Sequence, residues 1–175
     1  DESGARTWLT KAAASGHADA ARLLQAGQLP LQVDPRVLAT EPAVTFSMTV
    51  AAARRGDVDT LAALWPLLPG DANDAFRRSV LHHAAESGAA EAVRWLVAHD
   101  ARVDAIDAQG ITPLMLAATA ASADALEVLL QSKPHVAAVD ALGNSALFYA
   151  ARRGRVVQAE RLVAAGLDPK LRNAG

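Results

Sequence analysis

Cysteine is absent, aromatic residues are scarce and the net charge is small, and each of these deficits excludes a class of protein. Because the 175 residues include no cysteine, the chain can form neither disulfides nor thiolate zinc sites. Its formal net charge of -2 gives no general reason to expect nucleic acid or an anionic membrane as a partner. No apolar run approaches the roughly 18 residues that a membrane-spanning helix needs. We therefore expect a soluble protein that neither binds nucleic acid nor inserts into a membrane.

Alanine is the residue that the chain has in abundance. Apolar residues make up 51% of the sequence and aromatic residues only 4%, so small side chains must do much of the packing. Alanine is also the best helix former, which favours a mostly helical protein with close helix contacts over a β-rich one. An alanine-heavy composition further suggests a bacterial origin, if it reflects a GC-rich genome.

The sequence repeats itself with a period of about 33 residues, the kind of period that marks a repeat architecture. A Ser or Thr stands five residues before an Ala-Ala pair at five places, namely Thr7, Ser47, Ser79, Thr112 and Ser145. A glycine follows each pair at Gly16, Gly56, Gly88 and Gly154, with Ala121 in its place in the fourth unit. A leucine comes eight residues later, at Leu24, Leu64, Leu96, Leu129 and Leu162. Five units in register predict five copies of one structural element.

Each of these positions has a physical reason in a unit of two helices. A Ser or Thr oxygen caps the first turn of a helix by accepting a backbone N–H bond. The alanine pair allows a neighbouring helix to approach closely, and the glycine supplies the left-handed backbone that a tight turn between helices requires. The leucine lies on the apolar stripe of the second helix. The pattern therefore predicts stacked helix-loop-helix units.

One segment closely resembles a known family. Residues 107–118, which read Asp-Ala-Gln-Gly-Ile-Thr-Pro-Leu-Met-Leu-Ala-Ala, resemble the ankyrin repeat signature D-x-x-G-x-T-P-L-H-x-A-A. Departures occur at Met48 and Thr49, which replace Pro-Leu in the second unit, and at Arg77, which holds the glycine position of the third. The resemblance implies an all-α ankyrin-repeat solenoid, in which helix pairs are joined by outward-pointing hairpin loops and the first helices line a concave groove.

The register also predicts the boundaries of the domain. We predict a single ankyrin-repeat domain over residues 1–175, with repeats at about 5–27, 45–70, 74–106, 107–139 and 140–173. Residues 28–46 exceed an ordinary link between repeats and contain three prolines, so we interpret them as an inserted loop. Whether this loop contacts a partner or is a tolerated surface insertion stays open.

No motif for catalysis, metal binding or cofactor binding is present, since the five histidines occupy different repeat positions. His82 falls where the family has a structural histidine, and we interpret Trp8, Trp65 and Trp95 as packing residues. His83, with Glu86 and Tyr149, is the centre of a weaker alternative, a small-molecule or metal site. We predict no enzymatic activity, no cofactor and no bound metal.

The variable positions of the first helices and the hairpin tips are where the family binds its partners. The residues predicted to contact a partner are Lys11, Arg54, Arg55, Phe76, Arg77, Arg78, His83, Glu86, Ile111, Leu116, Thr119, Leu142, Asn144, Tyr149, Arg152 and Arg153. Three arginine pairs in this set favour an acidic segment of another protein as the partner. The alternative is that arginines near helix C-termini complement the helix dipole and keep the surface soluble.

The predicted function is that of a monomeric, non-catalytic protein-binding module: an adaptor, an inhibitor or immunity protein, or the recognition domain of an effector. The alternative is a repeat domain that presents substrate within a larger enzyme or toxin. A cytoplasmic location is favoured, and a periplasmic or secreted one applies if a leader has been removed.

Overall fold

The computed structural model describes residues 42–70 and 72–169. The chain divides into two units, Asp1–Val37 and Leu38–Gly175, and all described residues belong to the second. The first predicted repeat, with Trp8 and Lys11, therefore lies outside the described residues, as do residues 28–41 of the predicted loop. A single domain over the whole chain stays a prediction.

The described residues form pairs of α-helices, and no strand occurs among them. The pairs are α1 (Pro42–Arg55) with α2 (Val58–Leu64), α3 (Val80–Ser87) with α4 (Ala90–Ala98), α5 (Pro113–Ala117) with α6 (Asp124–Gln131), and α7 (Ala146–Arg152) with α8 (Val156–Ala164). A short 3₁₀ helix, Trp65–Leu67, follows α2. None of the described helices is both long and apolar enough to cross a membrane. The prediction of an all-α repeat stack is confirmed.

The helices stack in two rows. In the first row α1 packs against α3, α3 against α5, and α5 against α7, while in the second row α2 packs against α4 and α4 against α6. The core between the rows consists of the predicted columns: the alanine pairs of α1, α3 and α5 are fully buried, and Leu96, Leu129 and Leu162 are 0% exposed. Trp65 and Trp95 both pack against this core. Their two rings meet each other edge to face, with 6.2 Å between ring centroids. Small residues thus bring the helices together, as predicted.

The predicted turns between paired helices occur where glycine is present. Gly56, Gly88 and Gly154 have φ angles of 74°, 77° and 65°, the left-handed region that favours glycine. In the fourth repeat, where Ala121 replaces glycine, α5 ends early at Ala117 and residues 118–123 take a longer path. Carbonyls of this path accept bonds from the next repeat: Arg155 Nε donates to Thr119 O at 3.1 Å and Gln158 Nε2 to Ala120 O at 2.9 Å.

The start of the second repeat was predicted wrongly. The inserted loop was expected to end at Phe46 and Ser47 to cap a helix, but α1 begins at Pro42 and contains Ser47. Pro42 stands where the next repeat has Asp74, and no glycine is available for a left-handed residue. The segment therefore lacks the aspartate whose N–H and carboxylate hold the other hairpins, whereas proline suits the first turn of a helix.

Candidate functional site

Three hairpins, residues 74–78, 107–111 and 140–144, project from the first row of helices and share one hydrogen-bond pattern. In each, the N–H of the leading aspartate donates to the carbonyl of the residue four positions later at 3.0 Å. One carboxylate oxygen of the same aspartate accepts the N–H groups two and four residues later, at 2.8 to 2.9 Å. The aspartate column, whose role the sequence did not reveal, therefore holds the hairpins in shape.

The second carboxylate oxygen of each aspartate binds a side chain, which comes from the first helix of the same repeat in two of the three hairpins. His83 Nε2 lies 3.0 Å from Asp74, and Tyr149 Oη donates to Asp140 at 2.7 Å, from equivalent positions two repeats apart. In the repeat between them this position holds a leucine, and Arg78 Nε from the preceding hairpin binds Asp107 instead, at 3.1 Å. These three residues were predicted to contact a partner, but in the structure their side chains bind the aspartates of the hairpins.

These contacts set the ionisation of the groups involved. Burial disfavours the charged form of Asp74 and Asp140, but the hydrogen bonds that they accept outweigh it and lower the pKa of both carboxyls. Burial, and then the bond to Asp140, raise the pKa of Tyr149. Both aspartates therefore stay ionised at neutral pH, with the tyrosine protonated and donating.

Consecutive hairpins are joined by a ladder of backbone hydrogen bonds. The N–H of Ala108 donates to the carbonyl of Phe76 at 2.8 Å, and the N–H of Ala141 donates to the carbonyl of Gln109 at 2.9 Å. Donors and acceptors recur every 33 residues, so hairpins 107–111 and 140–144 are each held by the hairpin before them. We call this array the hairpin ladder.

His82 has the structural role that was predicted for it. It is 0% exposed, its Nδ1 accepts the N–H of Ser79 at 3.1 Å, and its Nε2 lies 3.0 Å from Ile111 O. Since a carbonyl can only accept and a backbone N–H can only donate, the ring is neutral with its proton on Nε2. Burial lowers the pKa of His82, consistent with this state. The side chain thereby links the third repeat to the fourth.

His83 is more buried than a partner-contacting residue would be. Its side chain is 13% exposed, burial lowers its pKa, and its ring meets Phe46 edge to face with 6.5 Å between centroids. Its Nδ1 is buried and has no hydrogen-bond partner within the described part of the chain. The alternative of a metal site gains no support, because no three His, Asp or Glu residues among those described converge on one point.

The arginines fall into two groups. Glu86 lies 3.7 Å from Arg54 and 3.6 Å from Arg78, so both of these cations are partly neutralised. Arg55, Arg77, Arg152 and Arg153 are exposed and form no ion pair with any described residue. Among the predicted contact residues, uncompensated positive charge therefore sits at the tip of hairpin 74–78 and at the ends of α1 and α7.

The remaining predicted contact residues are divided between surface and core. Phe76 and Leu142 are exposed at the hairpin tips, by 60% and 73%, and Arg77 is exposed beside Phe76. Ile111 and Thr119 are half-buried. Leu116 and Asn144 are only 6% exposed, so the expectation that they lie on the surface was wrong. Leu116 is covered by packing of α5 between its neighbours, and Asn144 Nδ2 donates to Asp140 at 3.0 Å.

Sequence reasoning missed an open cleft of about 690 Å³ between α1 and hairpin 74–78. Its walls are mostly apolar and include Pro42, Ala43, Phe46 and Val50 from α1, and Ala75 and His83 from the third repeat. The cleft occupies the place of a hairpin in the second repeat. Its sequence signal is the loss of the aspartate, which Pro42 replaces in that register.

A comparison of the sequence with known families bears on this architecture. A family profile that describes ankyrin repeats in three copies matches residues 48–140 and 107–173. No curated protein was found to match the chain. The profile covers most of the sequence and the repeats that it marks coincide with the stacked helix pairs and the hairpin ladder, so this chain belongs to the ankyrin repeat family.

Proposed function

We propose that the chain is a protein-binding module that acts through its first-helix surface, meaning the exposed side chains of α1, α3, α5 and α7 together with the hairpin tips. Ankyrin repeats are generally modules of protein–protein interaction, and the family is typically non-catalytic. Adaptor, inhibitor or immunity protein, and effector recognition domain are all roles that such binding serves.

The observation that carries this proposal is the set of side chains that this surface presents without an internal role. Phe76 and Leu142 extend from the tips, and Arg152 and Arg153 lie at the end of α7. Aromatic residues and arginine are the most common energetic anchors of protein interfaces. An exposed phenyl ring and an exposed leucine contribute little to the fold, so their positions at the tips favour a binding role.

We further propose that the partner offers an acidic segment to the arginines of α7. The compensated pair Arg54 and Arg78 would contribute less, because Glu86 already neutralises part of their charge. Arg152 is also the last residue of its helix and favourable there for the helix dipole. A dipole role predicts an effect on stability, and a partner role predicts an effect on binding.

The test is affinity capture from the source organism with Arg153→Glu beside the wild-type chain. Arg102→Glu is the matched control, since Arg102 is also exposed and lies in the loop after α4, away from the first helices. We expect Arg153→Glu to lose the captured protein and the control to keep it, with wild-type binding weakened by salt. Equal capture by both variants would remove the acidic partner, and failure of the wild-type chain to retain any protein would remove the binding module.

A further inference from the structure

The first position of the hairpin ladder is open. Ala75, Ala108 and Ala141 occupy equivalent positions, 33 residues apart, at the tips of the three hairpins. The N–H groups of Ala108 and Ala141 donate to the hairpin before them, whereas within the described residues the N–H of Ala75 has no acceptor. The same backbone donor is therefore presented three times and used twice.

The acceptor that Ala75 lacks can be identified from the register. The acceptors Phe76 and Gln109 are equivalent and lie 33 residues apart, and in the register that aligns Pro42 with Asp74 the corresponding residue of the second repeat is Val44. Val44 belongs to α1, where carbonyl groups accept bonds from the next turn of the same helix. Because the second repeat forms helix in place of a hairpin, its backbone cannot complete the ladder.

The space that the missing hairpin would fill is the 690 Å³ cleft. Ala43 and Phe46 of α1 line one side of it and Ala75 lines the other, so the unused N–H stands at the edge of an apolar cavity. Phe46 occupies the position that Arg78 has in the next repeat. Arg78 binds the aspartate of the following hairpin, Asp107, whereas the ring of Phe46 packs against His83. The cleft thus offers apolar contact where the other repeats offer an ion pair.

We propose that this cleft binds a peptide segment of a partner protein, which supplies a backbone carbonyl to the N–H of Ala75 and an apolar side chain to the cavity. A peptide backbone is the occupant that the equivalent positions already hold, since the hairpin ladder is built from main-chain bonds between the tips of consecutive hairpins. Adding a segment to an exposed backbone edge gives affinity through main-chain bonds and specificity through side-chain pockets. The site is separate from Arg152 and Arg153, so the two proposals fail independently.

The probe is a synthetic peptide with the sequence of residues 73–79, Asn-Asp-Ala-Phe-Arg-Arg-Ser, blocked at both ends. This segment carries the carbonyl that Ala108 binds in the intact chain. Titrated into ¹⁵N-labelled chain, it should shift the amide resonances of Ala75, Phe46 and Val50 to saturation, and a scrambled peptide should not.

The decisive variant is Ala75→Pro, which removes the donor and nothing else. Ala75 follows the leading aspartate of a tight turn, a position that proline favours, and its N–H makes no bond within the described structure that could be lost. We expect the melting temperature of Ala75→Pro to be unchanged. We expect its affinity for the peptide to fall to about one fifth of the wild-type value or lower. Ala43→Trp, which fills the cleft from an exposed site on α1, should also prevent binding while leaving the Ala75 amide intact.

Two results would overturn the proposal. The first is the absence of a shift at Ala75 at millimolar peptide, or shifts confined to the arginines of α7. The second is equal affinity of the wild-type chain and a folded Ala75→Pro variant. Loss of binding in the proline variant, with Arg153→Glu binding the peptide normally, would support it.

Discussion

The hairpins of the fourth and fifth repeats are each held by a preceding hairpin, whereas hairpin 74–78 has α1 as its predecessor. All three share the same aspartate bonds and the same alanine at the tip, and their sequences alone do not distinguish them in this respect. The difference arises from the neighbour. In a stack whose units contact only adjacent units, the environment of a residue depends on its column and equally on what the next unit provides.

The largest expected effect is the difference in stability cost between a substitution at a buried position and one at an exposed position. Leu96 is 0% exposed between neighbouring repeats, so Leu96→Ala should lower the free energy of unfolding by about 2–5 kcal/mol. Val163, on the last helix, is 41% exposed, and Val163→Ala should cost less than about 1 kcal/mol. Chemical denaturation of both variants measures the difference. A loss below about 0.5 kcal/mol for Leu96→Ala would contradict the assigned packing.

The next effect concerns the hairpin ladder itself. Ala108→Pro removes the N–H that binds Phe76 O at 2.8 Å and leaves that carbonyl without its donor, so it should cost about 1–3 kcal/mol. Ala75→Pro makes the same substitution at the equivalent position and should leave the unfolding midpoint unchanged or slightly raised. If both variants lose the same stability, the two positions are equivalent and the ladder has no open end.

A smaller effect distinguishes the left-handed residues of the hairpins. Arg77 has φ 61° where the other two hairpins carry Gly110 and Gly143, both at φ 78°. Arg77→Gly should therefore stabilise the chain by about 1 kcal/mol by relieving this conformation. Gly110→Ala should destabilise it, because the added Cβ would lie 3.1 Å from the backbone nitrogen of Ala141, itself a ladder donor. The melting temperatures of the two variants show whether each substitution stabilises or destabilises the chain. A destabilised Arg77→Gly would show that the arginine side chain is needed.

The smallest effect is a pH dependence centred on the third repeat. Burial lowers the pKa of His82 and of His83 below the ordinary value of 6.5. The unfolded chain therefore binds protons first as the pH falls, so stability is fully present above about 6.5 and declines below it until the folded pKa values are reached. Unfolding at pH 7.5 and 5.5 should show this loss, and His83→Gln should reduce it. An equal loss in the variant would assign the effect to other groups.

The sequence predicted the parts of the fold that recur and missed the parts where a repeat departs from the pattern. The alanine pairs of the second, third and fourth repeats, the leucines from Leu64 to Leu162 and the glycines at Gly56, Gly88 and Gly154 are confirmed, because their burial or backbone angle follows from periodicity. Ala151 of the fifth repeat is an exception, since it is exposed. The start of α1 was wrong, since a Ser before an Ala-Ala pair looks like a cap whether or not a hairpin precedes it. Proline at the aspartate position carried the correct signal.

The candidate site was harder to predict than the fold. His83 and Tyr149 share a column that usually faces a partner, but their bonds to Asp74 and Asp140 depend on a hairpin that lies nine residues earlier in the chain. The pairing of Glu86 with Arg54 joins the second repeat to the third, and its pairing with Arg78 joins α3 to the hairpin before it. Side-chain pairs across repeats depend on rotamers and on stacking distance, and periodicity specifies neither. The exposed tips Phe76 and Leu142 could be predicted, because the hairpin register alone places them.

Amide hydrogen exchange at the three tip alanines tests the open ladder most directly. Ala75, Ala108 and Ala141 are all exposed, so differences in their protection report hydrogen bonding and not access to solvent. We predict that Ala108 and Ala141 exchange slowly and that Ala75 exchanges at the rate of an unprotected amide. Equal protection of all three would show that the N–H of Ala75 already has an acceptor, and would contradict the account.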